Sequence, residues 1–487
     1  MESRNIVVRF DGSKWNESAI LFNAHYDTSS LAPGATDDSV AVVSLLQIAQ
    51  YLADHRPERS IILLFNNGEE DGLHGSRAFM QYSWNGTISS FVNVEGAGAG
   101  GRPNLFRSSS AQITNAFRSA SHPHGSSLFS DAFRLGLVRS RTDYDVYTRA
   151  GIPGVDYAFY QNRQKYHTMD DTVSSLHDQR PLWAMMENLH DLVQVLARQS
   201  DAGISDDTRF VYFDVFGESL FYLRYDMFIL FNILLVACGP VFVVLLGYSL
   251  HRSHKIYSGW RGWGRFPLAF GIGLAVAAAC IAWYIEYNPM VIDRKPYWVL
   301  IDITCFITAG TLLPLYLADW WRPVPTQRAQ VLIEMCTFWW IVSILNLILV
   351  ARTGITATYF ITFYYAATLA ATIVTLLDMH RLSRKLPPSV LTSGQRVQDP
   401  EENGNSGRVG GGHENENGDD ATERTPLIPR AEDLILPKRP AQEQLGWIWI
   451  IEFTLVAVFP VVLMFQTLFT LLAALSPTVV DGSAPVF

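Results

Sequence analysis

The chain has 487 residues and a formal net charge of -9, with 49% hydrophobic and 17% charged residues. It is too long for one ordinary domain and too apolar for a purely soluble protein, so part of it is expected in a bilayer. The acidity, and a first half without a basic patch, argue against nucleic acid as a partner.

Up to Asp226, short apolar runs alternate with helical patterns. Ile20 to Ala24 reads as a strand, Ser39 to Asp54 as a helix and Ser60 to Asn66 as a strand. A helical segment follows Gly75, strands lie around Phe91 to Val94 and Val155 to Phe159, and a helix runs from Leu182 to Arg198. The alternation predicts an α/β domain over 1–226 with a buried mixed sheet, whose functional residues gather at strand ends. From Met227 the character changes. Apolar runs at 227–250, 266–285, 297–318, 331–351, 355–377 and 446–475 are each near the ~20 residues that cross a bilayer core, and predict a multi-span α-helical membrane domain. Between the last two, 379–445 carries Gly410-Gly411-Gly412, many Asn, Glu and Pro and almost no aromatics, the composition of a disordered loop.

Lys and Arg set the expected orientation. The loop after the first run holds Arg252, Lys255, Arg261 and Arg265, and the loop after the third holds Arg322 and Arg328; the alternate loops hold Arg294, Lys295 and Arg352. The richer loops, with 379–445, are expected in the cytosol, and the first domain and the 476–487 tail on the lumenal side. Two N-x-S/T sequons, at Asn16 and Asn85, fall in the first domain, where glycosylation is expected if it is lumenal. The start, Met1-Glu-Ser-Arg-Asn-Ile, has no apolar signal region, so further sequence is expected upstream. Cys238, Cys280, Cys305 and Cys336 all lie in apolar runs, which leaves the first domain without a disulfide.

Separate segments supply metal-ligand residue types: His25-Tyr26-Asp27, Pro33-Gly34-Ala35-Thr36-Asp37-Asp38, Asn67-Gly68-Glu69-Glu70, Asn93-Val94-Glu95-Gly96 and Tyr166-His167-Thr168. A lone His-x-Asp is usually a hydrogen-bonded surface pair, and a lone Glu-Glu a solvated turn. Their coincidence at the strand ends of one domain is what points to a site. Two His, one Asp and two Glu form a nitrogen and oxygen donor set that zinc accepts, enough for two ions if one carboxylate bridges. A second carboxylate beside a ligand, as in Glu69-Glu70, then supplies a general base, because a ligand's lone pairs are committed to the cation.

These motifs, with Gly151-Ile-Pro-Gly-Val-Asp156 and Tyr166-His-Thr-Met-Asp-Asp-Thr172, resemble the co-catalytic zinc aminopeptidase family, and more closely the fungal vacuolar membrane proteases and related endoplasmic-reticulum metallopeptidases. The resemblance implies a membrane-anchored peptidase with two zinc ions per chain, acting on peptides. The vacuolar membrane is the implied location, with the endoplasmic reticulum as the alternative. It implies that His25 and Glu95 hold one ion, Glu70 and His167 the other, and that Asp37 bridges them. Glu69 would be the general base, Asp27 would orient His25, and Tyr166 could donate to the developing oxyanion. The Asp37-Asp38 peptide bond is expected to be cis. Glu95 departs from the Asp of many soluble members.

Asp143 and Asp171 read either as braces for the site or as capping residues, and His122 and His124 as surface residues. Asp302, Glu334 and Glu452, inside apolar runs, are expected to snorkel or to pair between helices. Competing functions are a single-zinc acyl transfer such as glutaminyl cyclisation, a non-catalytic receptor or scaffold and, more distantly, a transporter.

Overall fold

The computed structural model describes residues 4–14, 17–176, 178–199, 209–256, 259–288, 291, 295–381 and 448–475. Asn16, nearly all of 379–445 and the whole of 476–487 lie outside the described residues.

The first domain is built on a six-stranded mixed sheet. In chain order its elements are β1 (Ile6–Phe10), β2 (Ala19–His25), α1 (Val40–Asp54), β3 (Ile61–Asn66), α2 (His74–Phe79), β4 (Ile88–Gly96) and β5 (Asn104–Ser108). There follow α3 (Ala111–Ala116), α4 (Ser127–Arg134), α5 (Tyr144–Arg149), β6 (Gly154–Phe159) and α6 (Arg180–Arg198). The strand order is β1-β3-β2-β4-β6-β5. The four inner strands run parallel, and β1 and β5 are antiparallel edges. Every residue of β2, β3 and β6 is buried, because helices cover both faces of a parallel sheet, so these strands read in sequence as continuous apolar runs. On one face Phe22, Leu63 and Val92 pack with Leu45 and Ile48 of α1 and Leu189 and Leu192 of α6; on the other Leu21, Leu64 and Phe91 pack with Phe79 and Tyr147.

The chain moves from β2 to β3 on one side and then crosses back to β4 on the other. Such a switch point opens a crevice at the carboxyl ends of the strands. The register that pairs Asn23 with Asn93 leads on to His25 and Glu95 at that crevice.

A hairpin not anticipated from sequence, β7 (Phe210–Val215) with β8 (Ser219–Arg224), joins the sheet domain to the membrane helices. Phe216 and Gly217 form its tip with φ of 55° and 68°, the left-handed pair that matches strand twist in a tight hairpin. β8 runs straight into the first of six helices that, among the described residues, are long and apolar enough to cross a membrane: Tyr225–Arg252, Arg265–Tyr287, Tyr297–Trp321, Gln327–Thr353, Tyr359–Arg381 and Ile450–Leu468. The sixth has a widened π-type turn at Thr454–Val458. The fifth lies at the centre of the bundle, with half of its apolar window buried.

The fifth helix starts later than the apolar run suggests, because part of the run docks the two domains. Buried Asp131 of α4 accepts from the Thr356 and Ala357 backbone N–H groups, each at 2.6 Å, and Arg134 donates to the Thr353 carbonyl at 2.7 Å. Phe213 of β7 stacks on Tyr359, ring centroids 4.2 Å apart. The acidic residues in the spans pair as expected: Tyr284 donates to Asp302, Arg328 and Thr375 to Glu452, and the Gly264 and Phe266 backbone N–H groups to Glu334.

Candidate active site

The polar motifs begin where the parallel strands stop. His25 closes β2, Asn66 closes β3 just before Glu69 and Glu70, and Glu95 sits at the end of β4. Tyr166 and His167 follow β6 after the short turn Arg163–Lys165. Asp37 arrives on the turn Ala35–Ser39 that precedes α1, and the Asp37-Asp38 peptide bond is cis. Gly34 opens this turn at φ 72°, and Gly96 approaches it so closely that a Cβ there would fall 2.1 Å from the Thr36 carbonyl oxygen. Asp171 pins the turn from the other side. Its Oδ1 accepts from the Thr36 N–H at 2.9 Å and from the Thr36 hydroxyl, and its Oδ2 from the Asp37 N–H at 3.2 Å.

Five side chains converge there. His25 Nε2 lies 3.2 Å from Asp37 Oδ1 and 3.4 Å from Glu95 Oε2, while His167 Nε2 lies 2.9 Å from Asp37 Oδ2 and 3.1 Å from Glu70 Oε1. They form two triads that share Asp37, one carboxylate oxygen toward each. His25 Nε2, His167 Nε2 and Glu70 Oε1 are buried atoms that make no hydrogen bond among the described residues. Ligands held about 2.0 to 2.1 Å from a tetrahedral zinc ion stand about 3.3 Å from one another, which matches these spacings. Donor types and distances both fit zinc.

The triads differ in access. The His25 side chain is 1% exposed and that of His167 36% exposed. His167 has a left-handed backbone, φ 61°, and its ring stacks on Tyr166 at 3.7 Å between centroids. His25 Nδ1 sits 2.9 Å from the Asp27 backbone carbonyl and 3.6 Å from its carboxylate. Asp27 thus fixes the ring chiefly through its main chain, leaving its Oδ2 to accept from the Glu70 N–H at 3.2 Å.

Charge is concentrated at this edge. Burial pushes the Glu69 carboxyl up to about 10, with Glu95, Asp143 and Asp37 adding to the rise against the opposing pull of His25. Burial likewise raises Glu95, to about 7, although His25 opposes it. Burial disfavours the charged form of both imidazoles, but the surrounding carboxylates outweigh it: His25 is held well above its usual range and His167 is raised to about 9. Burial raises the Tyr166 phenol well above 10, and Asp37, Glu95, Glu70 and Glu69 raise it further, so it keeps its proton.

Of the polar layer beneath the triads, sequence singled out Asp143 as a possible brace but not Asn23, Asn66, Asn93 or Arg107. Asn93 donates to Glu95 Oε1 at 3.0 Å and to Asp156 Oδ1 at 2.9 Å, and Asp156 accepts from buried Arg107 at 2.8 Å. Asn23 and Asn66 both donate to Asp143, which makes no capping bond to α5 and braces the strand ends instead. The readable signal is spacing: Asn23 precedes His25, and Asn93 precedes Glu95, by one strand repeat within apolar runs. His124 corrects another expectation. It is buried, with Nδ1 2.9 Å from Asp214 and Nε2 3.0 Å from the Tyr160 hydroxyl, while half-buried His122 pairs with Glu187. Asn85 lies in the turn Ser83–Thr87 with its side-chain amide donating to the Met80 carbonyl.

Residues 5–193 match the model of peptidase family M28, and residues 264–433 that of the vacuolar membrane protease transmembrane domain. A vacuolar membrane protease of Schizophyllum commune is 32% identical over an alignment covering 100% of this chain and 58% of its own length. One from Laccaria bicolor is 36% identical, covering 74% and 39%. The chain spans about half the length of these curated relatives. Among solved structures, an aminopeptidase from Aneurinibacillus sp. strain AM-1 is 19% identical with a TM-score of 0.32, covering 40% of this chain and 47% of that one. The sheet domain is therefore a peptidase family M28 domain, and the helical region after it carries the transmembrane domain of the vacuolar membrane proteases.

Proposed function

We propose that the sheet domain is a two-zinc aminopeptidase held at a membrane. The observation that carries this reading is the pair of triads sharing Asp37, each with an imidazole nitrogen that has no hydrogen bond among the described residues. His25 and Glu95 would hold one ion and Glu70 and His167 the other, with Asp37 giving an oxygen to each. Zinc bound there supplies Lewis acidity, which polarises a peptide carbonyl and makes a nearby water easier to deprotonate.

Glu69 takes the proton of the attacking water and returns it to the departing amine. Its carboxylate has no hydrogen-bond or ion-pair partner among the described residues, so its lone pairs are available. Burial and carboxylate repulsion both raise its pKa, and cations held at the site would oppose that rise and favour the ionised base. Tyr166 keeps its phenol proton and donates it to the carbonyl oxygen as that oxygen gains charge. The motif resemblance supports removal of N-terminal residues. It also supports a vacuolar membrane location, the endoplasmic reticulum being the alternative, while the Lys and Arg of the loops support a lumenal peptidase domain.

The test is metal analysis of the purified chain alongside release of N-terminal residues from peptides. Two equivalents of zinc, and activity lost with chelation and regained with zinc, are expected. One equivalent with cyclisation of N-terminal glutamine would instead support acyl transfer.

A further inference from the structure

A cavity of about 980 Å³ lies where the peptidase domain meets the membrane helices. The loops after β4 and β6 supply Ala99 and Tyr160 to its wall, α6 supplies Trp183 and Ala184, and the sixth span supplies Phe465 and Gln466. The membrane helix is bonded into this wall. Gln466 donates to Asp214 Oδ2 at 2.9 Å and accepts from the Phe216 N–H at 3.3 Å, and Asp214 in turn meets His124. With the floor's polar groups engaged with one another, the surface left for an occupant is mainly apolar, with Gln161, Gln179 and Thr470 as polar interruptions. Trp183 and Phe216 stand 58% and 62% exposed at its edge, large apolar areas that no packing among the described residues covers.

The same two loops lead to the triads. The one after β4 leaves from Glu95, and the one after β6 runs from Tyr160 to Tyr166 and His167. They are tied together by Ala97 N–H donating to the Phe159 carbonyl at 3.1 Å and by the Asn162 amide donating to the Ala99 carbonyl at 3.2 Å. The rim carries both signs of charge: Arg102 faces Glu218 at 3.8 Å, and Arg180 faces Asp178 at 3.5 Å. An anionic lipid headgroup would call for unpaired cations. A peptide chain, neutral along its backbone, needs none.

We propose that this cavity binds an apolar stretch of the peptide substrate, with the sixth membrane helix forming part of the binding wall. The proposal rests on the peptidase reading above. Its volume is at the upper end of the range of about 300 to 1,000 Å³ for small-molecule sites, which leaves room for several side chains. Peptides with apolar segments at the membrane surface are therefore the preferred class.

The full chain in phospholipid nanodiscs tests this with two peptides that share a first residue, one continuing in Leu and Phe, the other in Ser and Asn. The apolar peptide should be favoured by about tenfold in kcat/KM, and Ala184→Trp or Phe465→Ala should bring the ratio toward one. A benzophenone in the apolar tail should crosslink to Leu176, Trp183, Ala184, Phe465 or Thr470, in metal-stripped as well as active protein. Crosslinking there without hydrolysis of either peptide supports the cavity and removes the peptidase reading. Equal hydrolysis of both peptides, with crosslinks elsewhere, overturns the cavity proposal. A phospholipid that copurifies with the wild-type chain but not with Ala184→Trp, at an unchanged peptide ratio, assigns the cavity to lipid and overturns it too.

Discussion

Two adjacent carboxylates meet different surroundings at the active edge. Glu70 has its Oε1 3.1 Å from His167 Nε2 and its backbone N–H held by Asp27, whereas the carboxylate of buried Glu69 has no hydrogen bond or ion pair among the described residues. Replacing Glu69 with Gln keeps the shape and removes the proton acceptor, so the variant should retain zinc while turnover falls by about 100- to 10,000-fold. Glu70→Gln should lose zinc first. Metal content measured beside peptide release separates the two, and a fully metallated, fully active Glu69→Gln protein would exclude Glu69 as the base. Protons follow from the same geometry. With His167 raised to about 9 and His25 shifted in the same direction, the His167 imidazole carries a proton in the metal-free site at neutral pH, and zinc must displace it. Zinc affinity should therefore rise with pH up to about pH 9, with proton release into the buffer. Calorimetric titration in buffers of different ionisation enthalpy would show this release; a heat independent of buffer would contradict it.

The turn Ala35–Ser39 works only because an element far along the chain holds it. Asp171 satisfies three donors of Thr36 and Asp37, and removing a buried, charged acceptor leaves them unpaired. Asp171→Ala should destabilise the sheet domain by about 3 kcal/mol, and Asp171→Asn should weaken zinc retention by about 10- to 100-fold with a smaller loss of stability. Thermal unfolding and a chelator challenge read the two effects, and an Asn variant with wild-type zinc retention would reduce Asp171 to a purely structural role. Sequence pattern shows the candidate metal-binding residues and offers Asp171 as either a brace or a cap, but not which donors it satisfies, since Thr36 and Asp171 are 135 positions apart. The same separation hides the partners of Asp143, 120 positions from Asn23, and of His124, 90 positions from Asp214. The inner strands are legible because burial on both faces makes them continuous apolar runs. The edges β1 and β5 are shorter, and β5 offers only Leu105 and Phe106 as apolar residues, too few for a period to emerge. The β7–β8 hairpin is missed for another reason. Its aromatic residues serve the packing between the domains as well as its own sheet, which blurs the alternation of a half-exposed strand.

At the scale of the molecule, the docking contacts fix which loops share a side. The segment between the fourth and fifth spans is bonded to Asp131 and Arg134, so it lies with the peptidase domain. The basic residues gather at the opposite ends of the helices, where Lys255 donates to the His380 carbonyl at 2.5 Å and Arg265 to the Arg322 carbonyl at 2.6 Å. Positive charge near span ends is retained on the cytosolic side, which supports a lumenal peptidase domain. Trp260, 94% exposed in the loop between the first and second spans, and Gln81, exposed beyond α2, offer one reporter position on each side. In sealed vesicles with the cytosolic face outward, an impermeant maleimide should label Trp260→Cys directly and Gln81→Cys only after detergent. The Asn85 sequon gives an independent marker, since an Asn-X-Thr on the lumenal side is a glycosylation acceptor. Endoglycosidase should shift the wild-type band, and Asn85→Gln should remove an Asn85-dependent part of that shift. Labelling of Gln81→Cys in intact vesicles, with Trp260→Cys protected, would place the peptidase domain in the cytosol and reverse the orientation of every span.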